Sequence, residues 1–232
     1  MIITRDNIKV KIQAGIFRLF LKKSAVEIFH VGENYGSWFY LRKGSSPLQC
    51  VLVGAGEDIS LDLHLIEAKH NCIILDPTPR SITYLDSNLP KGGSNFKFLP
   101  VGISDFDGSM RFHFPINPEH VSLSAVNLQE TSKFIDLPVM TIGTLMSELN
   151  IKHIDLLKLD IEGMSPRVIT NILHDGILPD QILTDLEFPL NTSTLLSVLL
   201  ELRKNGYQLI FRRNRDCLFV RNTLTHGSKK RH

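Results

Sequence analysis

The sequence predicts an α/β fold in which helices cover both faces of a doubly wound, mostly parallel β-sheet. Short apolar runs alternate along the chain with segments of helical periodicity, which is typical of right-handed strand–helix–strand units. The apolar run 50–53 leads directly into Gly54-Ala-Gly56, which indicates a buried strand that turns sharply into a helix. Two final apolar runs, 207–211 and 217–220, predict a C-terminal antiparallel hairpin.

Periodicity assigns the other elements in chain order. It predicts strands at 50–53, 72–75, 96–101, 110–114, 154–159 and 181–186, and helices at 58–69, 78–89, 141–149, 165–174 and 194–204. Near the start, Ile8, Val10 and Ile12 alternate with polar residues, which predicts an edge strand, with a helix beyond Ala14. Segment 115–133 has no periodicity and is long for a loop, so we expect a lid or binding segment there.

Length and composition predict one domain with two flanking segments. We expect an N-terminal arm at 1–34 that packs on the domain or forms a homodimer contact, a ligand-binding domain at 35–221 and a basic tail at 222–232. The net charge of +2 is too small to favour nucleic acid as a partner, and no apolar run approaches the ~20 residues of a membrane span. The 3 cysteines lack C-x-x-C spacing, which favours a reduced, cytoplasmic setting.

Asp76 completes the pattern that begins at the glycine turn. It ends the second apolar run, about 20 residues after Gly56, where a carboxylate accepts hydrogen bonds from the hydroxyls of a cofactor ribose. The third glycine of the dinucleotide motif G-x-G-x-x-G is replaced by Ile59. The pattern therefore predicts a ribose-bearing cofactor and disfavours a dinucleotide.

Two acids at the predicted helix start distinguish a cofactor with a pyrophosphate from one without phosphate. Glu57 and Asp58 would repel a pyrophosphate, which needs free N–H groups and a positive helix end. S-adenosylmethionine carries a sulfonium and an ammonium instead of phosphate, so the same acids favour it. Asp58 has a second interpretation as the helix N-cap, and the two roles are compatible.

In this order the signals resemble the S-adenosylmethionine-dependent methyltransferases, and within them the FkbM-type group. The matching segments are 53–60, 75–76, 102–105 with Gly108, 157–163, 206–207 and 218–220. The resemblance implies a Rossmann-like class I methyltransferase fold. It also implies transfer of a methyl group to oxygen, with acceptors such as a sugar, a glycolipid or another small metabolite.

The fourth predicted strand carries charges at the edge where a ligand is expected. Alternation puts Lys158, Asp160 and Glu162 on one side of the chain, and Glu187 follows the next strand. We expect Asp160 or Glu187 to take the proton from the acceptor hydroxyl, with His113 and His120 as weaker candidates. Glu162 is expected to bind the methionine amino group or the acceptor. A structural pair between Lys158 and a carboxylate is the alternative.

The full set of predicted cofactor contacts follows the ends of these strands: Gly54, Gly56, Glu57, Asp58, Ser60, Asp76, Pro77, Ser104, Asp105, Asp160 and Glu162. Ser104 and Asp105 are expected near the adenine and Trp38 near the methionine end. No ligand spacing supports a metal site, although Asp160, Asp185 and Glu187 are oxygen donors. Two other functions remain as alternatives: a non-catalytic binding module with the same fold, and an NAD-dependent oxidoreductase.

Overall fold

The computed structural model describes residues 5–22, 27–32, 37–42, 44–115, 123–124, 131–161, 163–186 and 190–225. Its helices are α1 (Arg5–Phe20), α2 (Ser60–Glu67), α3 (Pro79–Asn88), α4 (Ile142–Glu148), α5 (Ser165–His174), α6 (Thr192–Lys204) and α7 (Asn222–Thr225). Its strands are β1 (Phe29–Val31), β2 (Trp38–Tyr40), β3 (Gln49–Val53), β4 (Asn71–Leu75), β5 (Phe96–Leu99), β6 (Gly102–Ile103), β7 (Gly108–His113), β8 (Phe134–Met140), β9 (Leu156–Leu159), β10 (Gln181–Asp185), β11 (Tyr207–Arg213) and β12 (Asp216–Arg221).

A seven-stranded sheet forms the centre of the protein, in the order β11-β12-β10-β9-β3-β4-β5. The strands from β10 to β5 are parallel, and the hairpin β11–β12 adds two antiparallel strands at one edge. The predicted doubly wound sheet with a C-terminal hairpin is therefore confirmed. The chain order reverses between β3 and β9, and ligands of such sheets bind beside this switch point.

Alternating side chains of each strand supply two separate cores. In β3, Val51 and Val53 join the core beneath α1, α4, α5 and α6, whereas Cys50 and Leu52 join the core beneath β2, α2 and α3. Burial on both faces explains why these strands are continuous apolar runs in the sequence. The sheet ends are thereby held rigidly between two packed layers, which fixes the backbone at the switch point.

The predicted edge strand at residues 8–13 is wrong, because this segment is part of α1. The helix packs on α6 and buries Phe17, which is 3% exposed, and the Gln13 side-chain amide donates to the Leu190 carbonyl at 2.7 Å. Three alternating apolar residues were too short a pattern to separate strand from helix. The packing of α1 on α6 stabilises the helix in this segment.

A second sheet has three strands in the order β6-β8-β7. It lies beside the carboxyl ends of the central parallel strands. The predicted strand at 110–114 is confirmed as β7, whereas β8 was not predicted. Alternate side chains of β8 are buried at Leu137 and Val139, but Asp136 and Pro138 interrupt its β-propensity. Only the partner strands identify it as a strand.

The three cysteines, Cys50, Cys72 and Cys217, are free and buried, so they pack as small apolar side chains, as the sequence predicted. Among the helices that the structure describes, none is long and apolar enough to cross a membrane.

Asp107 ties the turn between β6 and β7 to the start of α4. Its carboxylate accepts the Thr141 N–H and the Thr144 hydroxyl, both at 2.7 Å. These two hydrogen bonds, in that order, hold the pKa of Asp107 below its usual value of 3.8. The depressed pKa means that the carboxylate stabilises the fold above the unfolded-state pKa and loses this effect as the pH falls through the folded-state pKa.

Asp107→Asn is therefore expected to lower the melting temperature at neutral pH and to have little effect in acid. The cost is about 0.5 kcal/mol, because the side chain is exposed and screened by solvent. Thermal melts of both proteins between neutral pH and about pH 3 measure the difference. A deficit that stays constant over this range would contradict the assigned ionic role.

Candidate active site

A cavity of about 890 Å³ opens at the carboxyl edge of the central sheet. The ends of four parallel strands contribute Val53 and Gly54, Asp76, Asp160 and Asp185 to its lining. The small sheet adds an apolar wall with Ile103, Met110 and Phe112. The cavity thus lies at the switch point, where the strand order predicts a ligand.

At Gly54 the backbone that follows β3 lies close to Asp160, the residue that follows β9. Its N–H donates to the Leu75 carbonyl at 2.9 Å, and its φ of +81° lies in the left-handed region. A Cβ at this position would overlap the Asp160 carbonyl oxygen and would lie 2.8 Å from the Asp160 carbonyl carbon. Only glycine fits both the conformation and the space.

Asp76 binds the turn that follows β3. One oxygen accepts the Ala55 and Gly56 N–H groups at 3.0 and 3.1 Å, and the other accepts the Thr78 N–H and hydroxyl at 2.9 and 2.6 Å. The Thr78 hydroxyl also lies 2.7 Å from the Ser81 hydroxyl. The Thr78 hydroxyl proton can point to either Asp76 or Ser81, and when it points to Ser81 one acceptor position on Asp76 is open to a ligand.

Lys158 is 2% exposed and links β9 to the same turn. Its Nζ donates to the Gly54 carbonyl at 2.6 Å and lies 3.6 Å from Asp160 Oδ2. The predicted structural pair of Lys158 with a carboxylate is thus present. It does not remove Asp160 from the cavity lining.

Two buried polar groups near this lysine have no hydrogen-bond partner among the protein groups that the structure describes. The Asp62 carboxylate is one, and burial raises its pKa, against a smaller lowering by the charge of Lys158. The indole N–H of Trp38 is the other, and Trp38 lines the cavity with its ring centre 5.4 Å from Lys158 Nζ. A ligand acceptor or an ordered water can satisfy such an unmatched donor.

The acids at the start of α2 have separated roles. Asp58 lines the cavity and accepts hydrogen bonds from the Ser60 N–H and hydroxyl, so its carboxylate binds the first residue of the helix. The N-cap residue of α2 is Ile59, whose side chain makes no capping hydrogen bond, so the N-cap interpretation of Asp58 is wrong. Glu57 instead forms a two-point ion pair with Arg80, at 2.6 and 3.0 Å. Neither Glu57 nor Ser60 lines the cavity.

The structure places the predicted adenine contacts outside the cavity. Ser104 is buried and its hydroxyl donates to Asp105, whose carboxylate pairs with Arg167 at 2.8 Å on the surface. Burial alone raises the pKa of Asp105, but the hydrogen bonds and charge of Arg167 outweigh it and the net pKa is lowered. Gly102 and Ile103, immediately before them, line the cavity instead.

Of the predicted cofactor contacts, six line the cavity: Gly54, Gly56, Asp58, Asp76, Pro77 and Asp160. Glu162 and Glu187 lie outside the described residues. His113, a weaker candidate for the general base, ends β7 and does not line the cavity, and His120 is outside the described part of the chain.

The sequence did not predict a group of cations at the tip of the β11–β12 hairpin. Arg212, Arg213 and Arg215 line the cavity beside β10, at the far end from Asp76. In a sequence, a basic run around a hairpin turn looks like a solvated surface. Only the antiparallel pairing of β12 with β10 shows that this tip lies at the ligand edge.

A group of metal-ligand type, His153 with Asp155 and Asp180, lies at the opposite edge of the sheet, just before β9 and β10 begin. His153 Nε2 is 3.3 Å from Asp180, and Asp155 accepts the Gln49 N–H at 2.7 Å. These contacts join neighbouring strand starts and are remote from the cavity.

Comparisons with known proteins agree with this geometry. Residues 30–209 match the Methyltransferase FkbM domain. The ribosomal protein L11 methylase from Lactobacillus delbrueckii subsp. bulgaricus is similar at 15% identity and a TM-score of 0.42, over 93% of this chain and 79% of that chain. Monomeric WbdD is similar at 12% identity and a TM-score of 0.41, over 76% of this chain and 36% of that chain. No curated protein sequence matches significantly.

The structural similarities are too weak to support an argument, so the assignment depends on the family match and the sheet. The match spans most of the chain, and the sheet has the doubly wound order with an antiparallel edge hairpin that the class I methyltransferase fold requires. The chain belongs to the FkbM methyltransferase family.

Proposed function

We propose that this protein transfers a methyl group from S-adenosylmethionine to a hydroxyl oxygen of a sugar, a glycolipid or another small metabolite. The observation that carries the choice of cofactor is the bonding of the glycine turn. The Ala55 and Gly56 N–H groups, which would bind a pyrophosphate, are already bound by Asp76. Asp58 adds a second negative charge at the start of α2. This turn repels a dinucleotide and suits a cationic cofactor.

The chemistry of the cavity fits S-adenosylmethionine. Carboxylates of Asp58, Asp76 and Asp160 line the half of the cavity at β4, β3 and β9. They complement the sulfonium and ammonium charges, and Asp76 has an acceptor position for a ribose hydroxyl when Thr78 turns to Ser81. The unmatched N–H of Trp38 suits a carboxylate such as that of methionine. Ile103, Met110 and Phe112 offer an apolar surface for a base.

Bound there, S-adenosylmethionine supplies an electrophilic methyl carbon, whose bond to sulfur breaks as a bond to the acceptor oxygen forms and sulfur becomes a neutral thioether. The protein's task is to hold the acceptor in line and to remove its hydroxyl proton. Asp160 is our candidate for the proton acceptor, because it lines the cavity and is about 40% exposed, so a substrate can reach it. Its backbone N–H, bonded to the Val53 carbonyl at 3.1 Å, fixes its position.

Asp160→Asn is expected to reduce methyl transfer by about 10²–10⁴-fold, because the amide cannot accept the proton. The assay follows S-adenosylhomocysteine formation from S-adenosylmethionine over a panel of hydroxyl-bearing sugars and glycolipids, and mass spectrometry locates the methyl group. Asp86→Asn is the control, since Asp86 is exposed on α3 away from the cavity.

The outcomes separate the alternatives. Cofactor binding without turnover on any acceptor would favour the non-catalytic binding module. Methylation at nitrogen would contradict the proposed acceptor atom. An unchanged rate in Asp160→Asn would show that Asp160 is not the residue that accepts the proton.

A further inference from the structure

We propose that the acceptor carries an oxyanion, a phosphate or a carboxylate, and that Arg212 binds it. This inference deepens the proposed function and rests on it. The cavity extends beyond the part lined by Asp58, Asp76 and Asp160, and it continues along β10 and β12 to the hairpin tip. The part next to the hairpin is the region left for an acceptor once the donor occupies the part above β3 and β4.

The three arginines at the tip differ in how their charges are used. Arg213 donates to the Ser37 hydroxyl and, at 2.7 Å, to the Ser37 carbonyl, and it pairs with Asp216 at 2.9 Å. Four hydrogen bonds from its Nε, Nη1 and Nη2 go to protein groups, and they hold the hairpin against the residue before β2. Arg215 makes an interaction of its own. Neither is the group that we assign to substrate.

Arg212 is held in place without an ion pair among the described residues. Its guanidinium carbon lies 4.2 Å from the centre of the Phe17 ring, so one face of the group is covered by an aromatic side chain of α1. Its Nε is buried and has no hydrogen-bond partner within the described part of the chain. A buried donor without an acceptor destabilises the protein, and a ligand oxygen bound to it offsets this cost.

This arrangement is the one that favours oxyanions. A guanidinium stacked on a ring loses little side-chain freedom on binding and presents its N–H groups in a planar fork that matches phosphate or carboxylate. Of the acids that line the same part of the cavity, Asp216 is bound by Arg213, and Asp185 has an interaction of its own. The charge of Arg212 thus remains available to a substrate.

The test is a calorimetric titration of the protein saturated with S-adenosylhomocysteine. The probes are inorganic phosphate and D-glucuronate, with D-glucose as the neutral comparison. Arg212→Gln is expected to weaken the binding of at least one oxyanion about 10-fold, which corresponds to about 1.4 kcal/mol, and to leave glucose unchanged. Arg212→Lys is expected to be intermediate, because it keeps the charge and loses the fork.

Arg111→Gln is the matched control, since Arg111 also stacks on a ring, 3.8 Å from the centre of Phe134, but pairs with Asp136 and does not line the cavity. A loss confined to phosphate supports phosphorylated acceptors, and a loss confined to glucuronate supports acidic sugars. Oxyanion binding that is absent in the native protein, or unchanged in Arg212→Gln, overturns the inference. If S-adenosylhomocysteine itself does not bind, the proposed function fails instead.

Discussion

Gly54→Ala is expected to destabilise the fold strongly and to abolish cofactor binding, whereas Gly56→Ala is expected to cost little stability. Both glycines have positive φ, +81° and +56°, so alanine pays the left-handed penalty of about 1 kcal/mol at either position. Only at Gly54 does the new Cβ meet backbone, the carbonyl group of Asp160. Gly54 and Asp160 directly follow β3 and β9, and their N–H groups bond to the Leu75 and Val53 carbonyls. This backbone cannot yield without breaking those bonds, so overpacking adds about 1–3 kcal/mol.

Chemical denaturation of both variants measures the difference in the free energy of unfolding. The expected loss is about 3 kcal/mol for Gly54→Ala and about 1 kcal/mol for Gly56→Ala. Gly56 is the control because no heavy atom lies within 4 Å of its added Cβ. Equal losses in the two variants would show that β3 and β9 do not approach as closely as the structure indicates.

Asp76→Ala is expected to weaken S-adenosylhomocysteine binding about 100-fold or more, which corresponds to about 2.7 kcal/mol. The carboxylate is 5% exposed and accepts hydrogen bonds from three backbone N–H groups, of Ala55, Gly56 and Thr78. Without it the donors of the turn lose their acceptors, and the turn loses the conformation that faces the cavity. The ribose also loses its proposed partner.

Asp107→Ala separates the binding effect from a general loss of stability. Asp107 also accepts a backbone N–H and a hydroxyl, but it does not line the cavity. Calorimetry is expected to show full affinity for S-adenosylhomocysteine in Asp107→Ala and greatly reduced affinity in Asp76→Ala, at a temperature where circular dichroism shows both proteins folded. Equal affinity in the two variants would remove Asp76 from the site.

The sequence predicted those parts of the site that short local patterns encode. Gly54, Asp76 and Asp160 each end an apolar run, and parallel strands bring such ends together at one edge. Local patterns do not encode a position that a distant partner determines. Glu57 turns away from the cavity because Arg80, 23 residues later, binds it. Arg212 enters the cavity only because β12 pairs with β10.

In the fold, too, local patterns predict some elements, and others depend on distant partner strands. The central strands were predictable because burial on both faces makes them apolar throughout. Strand β8 was not, because Asp136 and Pro138 lower its β-propensity and its pairing with β6 and β7 supplies what the local sequence lacks. Residues 8–13 predict a strand although they belong to α1, because the exposed Val10 and Ile12 alternate with polar residues.

We propose that a cationic, phosphate-free methyl donor occupies the cavity above β3 and β4. Parallel calorimetric titrations of the native protein with S-adenosylhomocysteine and with NAD test this proposal. We expect saturable, micromolar binding of S-adenosylhomocysteine and no binding of NAD. Saturable binding of NAD, or the absence of any heat with S-adenosylhomocysteine, would contradict it.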